Sequence, residues 1–118
     1  MTAITREDVA PTIENEDVVL RTTAAGPMTA AFIRLREGTD LGPALAGLEG
    51  DMCPCPHWGY MISGRLKMRT PRGDEVYEAG QAFYWEPPHV PVALTDCEYV
   101  DFSPTEEFAA VVRHITEG

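Results

Sequence analysis

Positive charge is scarce in this chain. Nine Lys and Arg residues stand against 19 Asp and Glu, for a formal net charge of −10. Nucleic-acid binding needs a basic footprint that displaces counterions from phosphate, so the sequence argues against that class. Anionic membrane surfaces are disfavoured on the same ground. Long apolar runs are missing as well. A bilayer-crossing helix takes about 20 mostly apolar residues, and no stretch approaches this. The N-terminus carries Arg6, Glu7 and Asp8 and lacks the apolar region of a signal peptide. These absences together lead to a cytoplasmic expectation. Cysteine is sparse: only Cys53, Cys55 and Cys97 occur. An odd count argues against a disulfide framework, and a Cys53–Cys55 bridge would close a small, proline-restricted and strained loop. Free thiols or metal thiolates are expected instead. The 118 residues are enough for one domain around one core.

What the chain does have is regular turn punctuation. Residues 1–17 are polar and acidic and read as an N-terminal arm, ahead of a single domain over 18–118. Val18-Val19-Leu20 is expected as a short first strand, ended by the turn signal Ala24-Ala25-Gly26-Pro27. Met28 to Leu35 alternates as a strand with Ala31, Ile33 and Leu35 on one face. Glu37 to Asp51 reads as a long glycine-containing loop with a helical turn near Ala44 to Leu48. Arg65 to Arg69 alternates with Leu66 and Met68 inward. Pro71-Arg72-Gly73-Asp74 is a hairpin turn, Glu75 to Ala79 a return strand that Gly80 breaks, Ala82 to Trp85 an aromatic strand, and Cys97 to Phe102 a last strand. Turn signals roughly 8–12 residues apart favour a sandwich or barrel over βαβ units.

The period changes at the C-terminus. Ser103-Pro104-Thr105-Glu106 has the form of a capping box, with Ser103 at the N-cap. Phe108, Val111, Val112 and Ile115 then follow at helical spacing. A short amphipathic helix over 104–116 is expected, with His114 in its last turn complementing the helix dipole.

The densest chemistry lies in Cys53-Pro54-Cys55-Pro56-His57. Side chains at i, i+2 and i+4 of a strand share a face, so Cys53, Cys55 and His57 would converge. Against this, neither proline can donate a ladder hydrogen bond, and a bulge there would turn one cysteine outward. A second histidine, His89, sits in Pro87-Pro88-His89-Val90-Pro91. Thiolate and imidazole together favour zinc, iron or copper over magnesium or calcium. The candidate ligands are therefore His57, His89, Cys53 and Cys55, with zinc first among the metals and Asp51 able to replace a ligand. Asp51 and Glu86 are the carboxylates nearest in sequence. Trp58, Tyr60, Phe83, Tyr84 and Trp85 flank the cluster, as core or as the walls of a small-molecule pocket.

The glycine and proline pattern of residues 28–102 resembles the cupin superfamily. His57, with Gly64 seven residues later, matches the glutamate-to-glycine half of the first cupin motif, and His57 stands at the glutamate position. Cys53 falls at the second histidine and Asp51 at the first. Gly80 to Val92 is similar to the second motif with one extra residue; His89 takes the glycine position and Val92 that of the metal histidine.

The resemblance implies an all-β, jelly-roll (double-stranded β-helix) barrel with a short C-terminal helix. It also implies a transition-metal site, a small-molecule ligand and pairing into homodimers. Apolar surface on the helix and on Val18-Val19-Leu20 is where such pairing is expected. Three functions stay open: a metal-dependent enzyme, a metal-free small-molecule binding or sensor barrel, and a structural dimeric cupin.

Overall fold

The computed structural model describes residues 1–117; Gly118, the last residue of the expected barrel domain, lies outside the described residues. Nine strands form two antiparallel sheets: β1 (Pro11–Glu14), β2 (Val18–Ala25), β3 (Met28–Leu35), β4 (His57–Ser63), β5 (Arg65–Thr70), β6 (Gly73–Glu78), β7 (Ala82–Trp85), β8 (Val90–Ala93) and β9 (Cys97–Pro104). The larger sheet has the order β1-β2-β3-β9-β4-β7, the smaller β6-β5-β8. A helical turn, α1 (Gly42–Leu45), the C-terminal helix, α2 (Thr105–Glu117), and short 3-10 turns at Arg6–Asp8 and Glu49–Asp51 make up the other described elements. Alternation places Leu35, Met61, Leu66 and Met68 in the fully buried core, while their polar neighbours face out. No helix among the described residues is long and apolar enough to cross a membrane.

Several elements depart from the sequence expectation, each for a tertiary reason. The expected arm contains β1, which pairs with β2 and packs Ile13 against the core. β2 runs on to Ala25 because all eight of its residues pair with β3. β8 passes through Pro91, which a sheet tolerates because β8 is an edge strand there. The helical turn comes earlier than expected, at Gly42–Leu45. The capping box does not form: β9 continues to Pro104, α2 begins at Thr105, and Ser103 is fully buried, facing inward.

α2 lies on its own chain. Phe108 and Val111 are buried, and Val112 and Ile115 pack against the core. Leu20 is buried and Val18 packs beside it. Much of the apolar surface expected to drive pairing thus packs within the chain, with Val18, Val19, Val112 and Ile115 left half-buried.

Candidate metal centre and ligand cavity

Three of the four expected ligands meet. The candidate ligand atoms of Cys53, His57 and His89 all lie within 4.8 Å of one another, and all three residues are buried. Strand parity explains only part of this. Cys53 is held by an antiparallel bridge to His89, with Cys53 N donating to His89 O at 2.9 Å and His89 N to Cys53 O at 3.3 Å. This bridge joins two prolyl segments and sets their side chains together. His57 enters from a third direction, as the first residue of β4 opposite Trp85 of β7.

Cys55 is not in the group. Residues 54–56 are irregular, because Pro54 and Pro56 interrupt the strand before it starts. The Cys55 thiol is buried but turned to the Pro56 carbonyl at 3.5 Å. Cys97 is also a free buried thiol, on β9 opposite Leu35. Asp51 is exposed and accepts from Gly47 N at 2.9 Å. The exposed Glu86 carboxylate pairs with Arg72 at 2.6 Å, but its backbone carbonyl is part of the site.

The hydrogen bonds assign the protons. His89 Nδ1 lies 3.0 Å from Glu86 O. A carbonyl only accepts, so Nδ1 carries the hydrogen and Nε2 keeps its lone pair. Ser103 Oγ donates to Asp101 Oδ1 at 3.5 Å and sits 2.6 Å from His57 Nδ1. The short contact behind the ring holds the imidazole with Nε2 turned toward Cys53. That Nε2 is 3.6 Å from Cys53 Sγ. A tetrahedral zinc with ordinary Zn–N and Zn–S bonds separates such a pair by about 3.5 Å. The donor set thus fits a transition metal, with each imidazole oriented by a hydrogen bond behind it.

Burial sets the charges. Desolvation pushes the Cys53 thiol up to about 11 and that of Cys55 up to about 12. It pulls His57 down to about 3, with the nearby His89 adding to the shift, and lowers His89 too. It raises Asp101 to about 8, against the opposing hydrogen bond from Ser103. His57 Nδ1 lies 3.7 Å from Asp101 Oδ2, an ion-pair distance. Burial disfavours both charges, lowering His57 and raising Asp101, so desolvation outweighs what the pair regains.

The trio opens onto a cavity of about 180 Å³. Its walls are mostly apolar side chains, among them Leu20, Ile33, Met68, Trp85, Phe108 and Val111, with Asn15, Tyr99 and Asp101 as polar exceptions beyond the trio. α1 and α2 contribute to the walls and are tied by His114 Nε2 donating to Ala46 O at 2.8 Å. His114 lies in the last turn of α2, as expected, and from there also ties that helix to the end of α1. The Trp85 indole N–H, on the cavity wall, is buried with no acceptor among the described residues.

Sequence reasoning missed Asp101 and Ser103. The signal was present in the parity of β9. Cys97, Tyr99, Asp101 and Ser103 form its buried face, but Val100 and Phe102 are the more apolar pair and suggest the opposite assignment.

No family model and no curated protein matches the chain by sequence. Solved structures do resemble it. KdgF from Halomonas sp. is 18% identical, with 88% of this chain and 94% of that one covered and a TM-score of 0.62. An RmlC-like cupin from Shewanella frigidimarina NCIMB 400 is 16% identical over 86% and 88%, with a TM-score of 0.62. The polyketide cyclase RemF from Streptomyces resistomycificus is 13% identical over 88% and 79%, with a TM-score of 0.64.

Proposed function

We propose, from the cupin fold that this chain has, that it binds a transition metal through Cys53, His57 and His89. A small, mostly apolar molecule then enters the adjoining cavity. The carrying observation is the convergence of three buried ligand atoms within 4.8 Å at the wall of that cavity. Two imidazoles and a thiolate suit zinc best, with iron or copper as the other candidates. Three protein ligands leave a coordination position open, the pattern of catalytic rather than structural sites. A metal there supplies Lewis-acid polarisation of a bound group. Asp101 lines the cavity beside His57, where burial raises its carboxyl and Ser103 opposes the shift. The enzymatic reading draws support from RemF, a polyketide cyclase of similar fold. We take the two sheets to close as a jelly-roll barrel, and the free thiols to fit a reducing cytoplasm.

Metal analysis of the purified protein tests this reading. Wild type and His114→Ala should carry about one metal per chain, and His57→Ala about a tenth of that or less. Full metal content in His57→Ala would remove the site assignment. One observation favours a second reading: the trio is uncharged without metal, so a metal-free binding cavity is electrostatically self-consistent. Protein that carries no metal yet takes up an apolar ligand would establish that alternative.

A further inference from the structure

Two hydrogen-bond donors on the cavity wall have nothing to donate to. Among the described residues, the Trp85 indole N–H is the one fully buried side-chain polar atom without a partner. The Tyr99 hydroxyl is the second: burial and neighbouring charges act on it, and no hydrogen bond does. Both residues line the cavity, and both are nearly enclosed, at 3% and 4% exposure. Trp85 ends β7 and Tyr99 stands on the inward face of β9. Their rings meet edge to face, 5.0 Å between centroids. Nearby polar side chains are better provided for. Tyr77, edge-on to the same indole, gives its hydroxyl to Glu75. Asn15, also on the wall, accepts from Asp17 N and Val18 N at 2.9 Å. Buried polar groups in native folds are nearly always partnered. A donor left unpaired keeps its full desolvation cost, which an acceptor in the cavity would relieve.

We propose that the cavity takes a neutral, carbonyl-bearing molecule about one ring in size, whose oxygen Trp85 and Tyr99 recognise. This rests on the reading of the cavity as a ligand site and names the class of ligand. Size comes first. An apolar cavity of about 150 Å³ admits benzene, and this one holds about 180 Å³. Shape and polarity agree, because the remaining wall is largely aliphatic and aromatic. Charge then excludes an acid held by these two donors. No Lys or Arg lines the cavity, and an ionised carboxylate buried without a cation is strongly disfavoured. A carbonyl oxygen has two lone pairs, enough for both donors, and brings no hydrogen that the apolar walls would leave unpaired. The Trp85 ring lies 6.3 Å from each of the His57 and His89 rings. A one-ring molecule held at Trp85 therefore also lies against the Cys53, His57 and His89 trio.

Calorimetry on the purified protein tests the proposal with three probes: acetophenone, its hydrocarbon isostere α-methylstyrene, and benzoate. Wild type should bind acetophenone about tenfold or more tightly than α-methylstyrene, and benzoate more weakly than acetophenone. Tyr99→Phe and Trp85→Phe should each cut the preference for acetophenone about threefold or more, with far-ultraviolet circular dichroism unchanged. Should Trp85→Phe fail to fold, wild type itself supplies the readout. The chain has two tryptophans, and Trp58 is on the outer face of the sheet, exposed beside Tyr84 and Phe102. In heteronuclear NMR, acetophenone should move the Trp85 indole proton downfield and leave that of Trp58 in place. A Trp85 proton that does not move overturns the proposal. Equal affinity for acetophenone and α-methylstyrene also overturns it, and leaves a purely apolar ligand site standing. A preference that survives both substitutions overturns it by assigning the carbonyl to the metal trio. Tighter binding of benzoate overturns the neutral class. Protein that binds none of the three overturns the proposal together with the cavity reading beneath it.

Discussion

Burial decides the chemistry of each ligand residue, and the decision differs between sulfur and nitrogen. Desolvation disfavours the charged form, so it raises the Cys53 thiol to about 11 and lowers His57 to about 3. A metal requires a thiolate and neutral imidazoles. At neutral pH the imidazoles are already neutral, and only Cys53 must release a proton. Metal uptake should therefore release one proton per chain. Apparent affinity should rise about tenfold per pH unit from about pH 7 to about pH 9, and fall on acidification. Competition titrations with a chelating dye across that range measure the slope. A flat profile would show that Cys53 does not bind as a thiolate, and a slope near two would bring in a second acid, Asp101 behind His57 or the Cys55 thiol. At this scale the sequence showed which residue types were available. The exclusion of Cys55 and the arrival of Asp101 came from backbone paths that strand parity alone does not describe.

The corners decide how the elements meet. Gly64 links β4 to β5 with φ of 78°, and a Cβ there would stand 2.1 Å from Asp96 O. Gly73, at the β5–β6 hairpin, has φ of 120° with nothing within 4 Å of its Cβ position. Gly64→Ala meets both left-handed strain and a backbone clash, and should cost about 2 kcal/mol or more. Gly73→Ala meets strain alone and should cost about 1 kcal/mol. Urea denaturation of the two variants checks the order; equal losses would mean that the β4–β5 corner relaxes away from Asp96. Both glycines were legible as punctuation. Their unequal weight was not, because it depends on the approach of residue 96 from β9's side of the sheet. The capping box shows the same effect: its three-residue spacing is right, yet Ser103 serves His57 instead, since tertiary pairing extends β9 by two residues.

At the scale of the whole molecule, the proposed metal binding would be coupled to folding. The Cys53–His89 bridge joins residues 36 positions apart, and the site exists only when both sheets are assembled. A metal bound only by the folded state, at a hundred times its dissociation constant, adds about 2.7 kcal/mol. For a domain of this size that raises the melting temperature by about 10 °C. Differential scanning fluorimetry with added zinc, then with excess chelator, should show the rise and its reversal. An unchanged melting temperature would mean that zinc is not held by the native fold. The sequence by itself determined the scale of the molecule and its β character, through alternation in β3, β5 and β7 and glycines at the corners. It also determined the ligand chemistry, through the cysteines and histidines of two proline-rich segments. Local spacing carries that information because side-chain direction in a strand follows from period two alone. Only the tertiary structure decided which three ligands meet, which carboxyl faces the cavity, and which apolar face is left uncovered. These depend on pairings between distant strands, where each residue's partner is set by the register of the whole sheet.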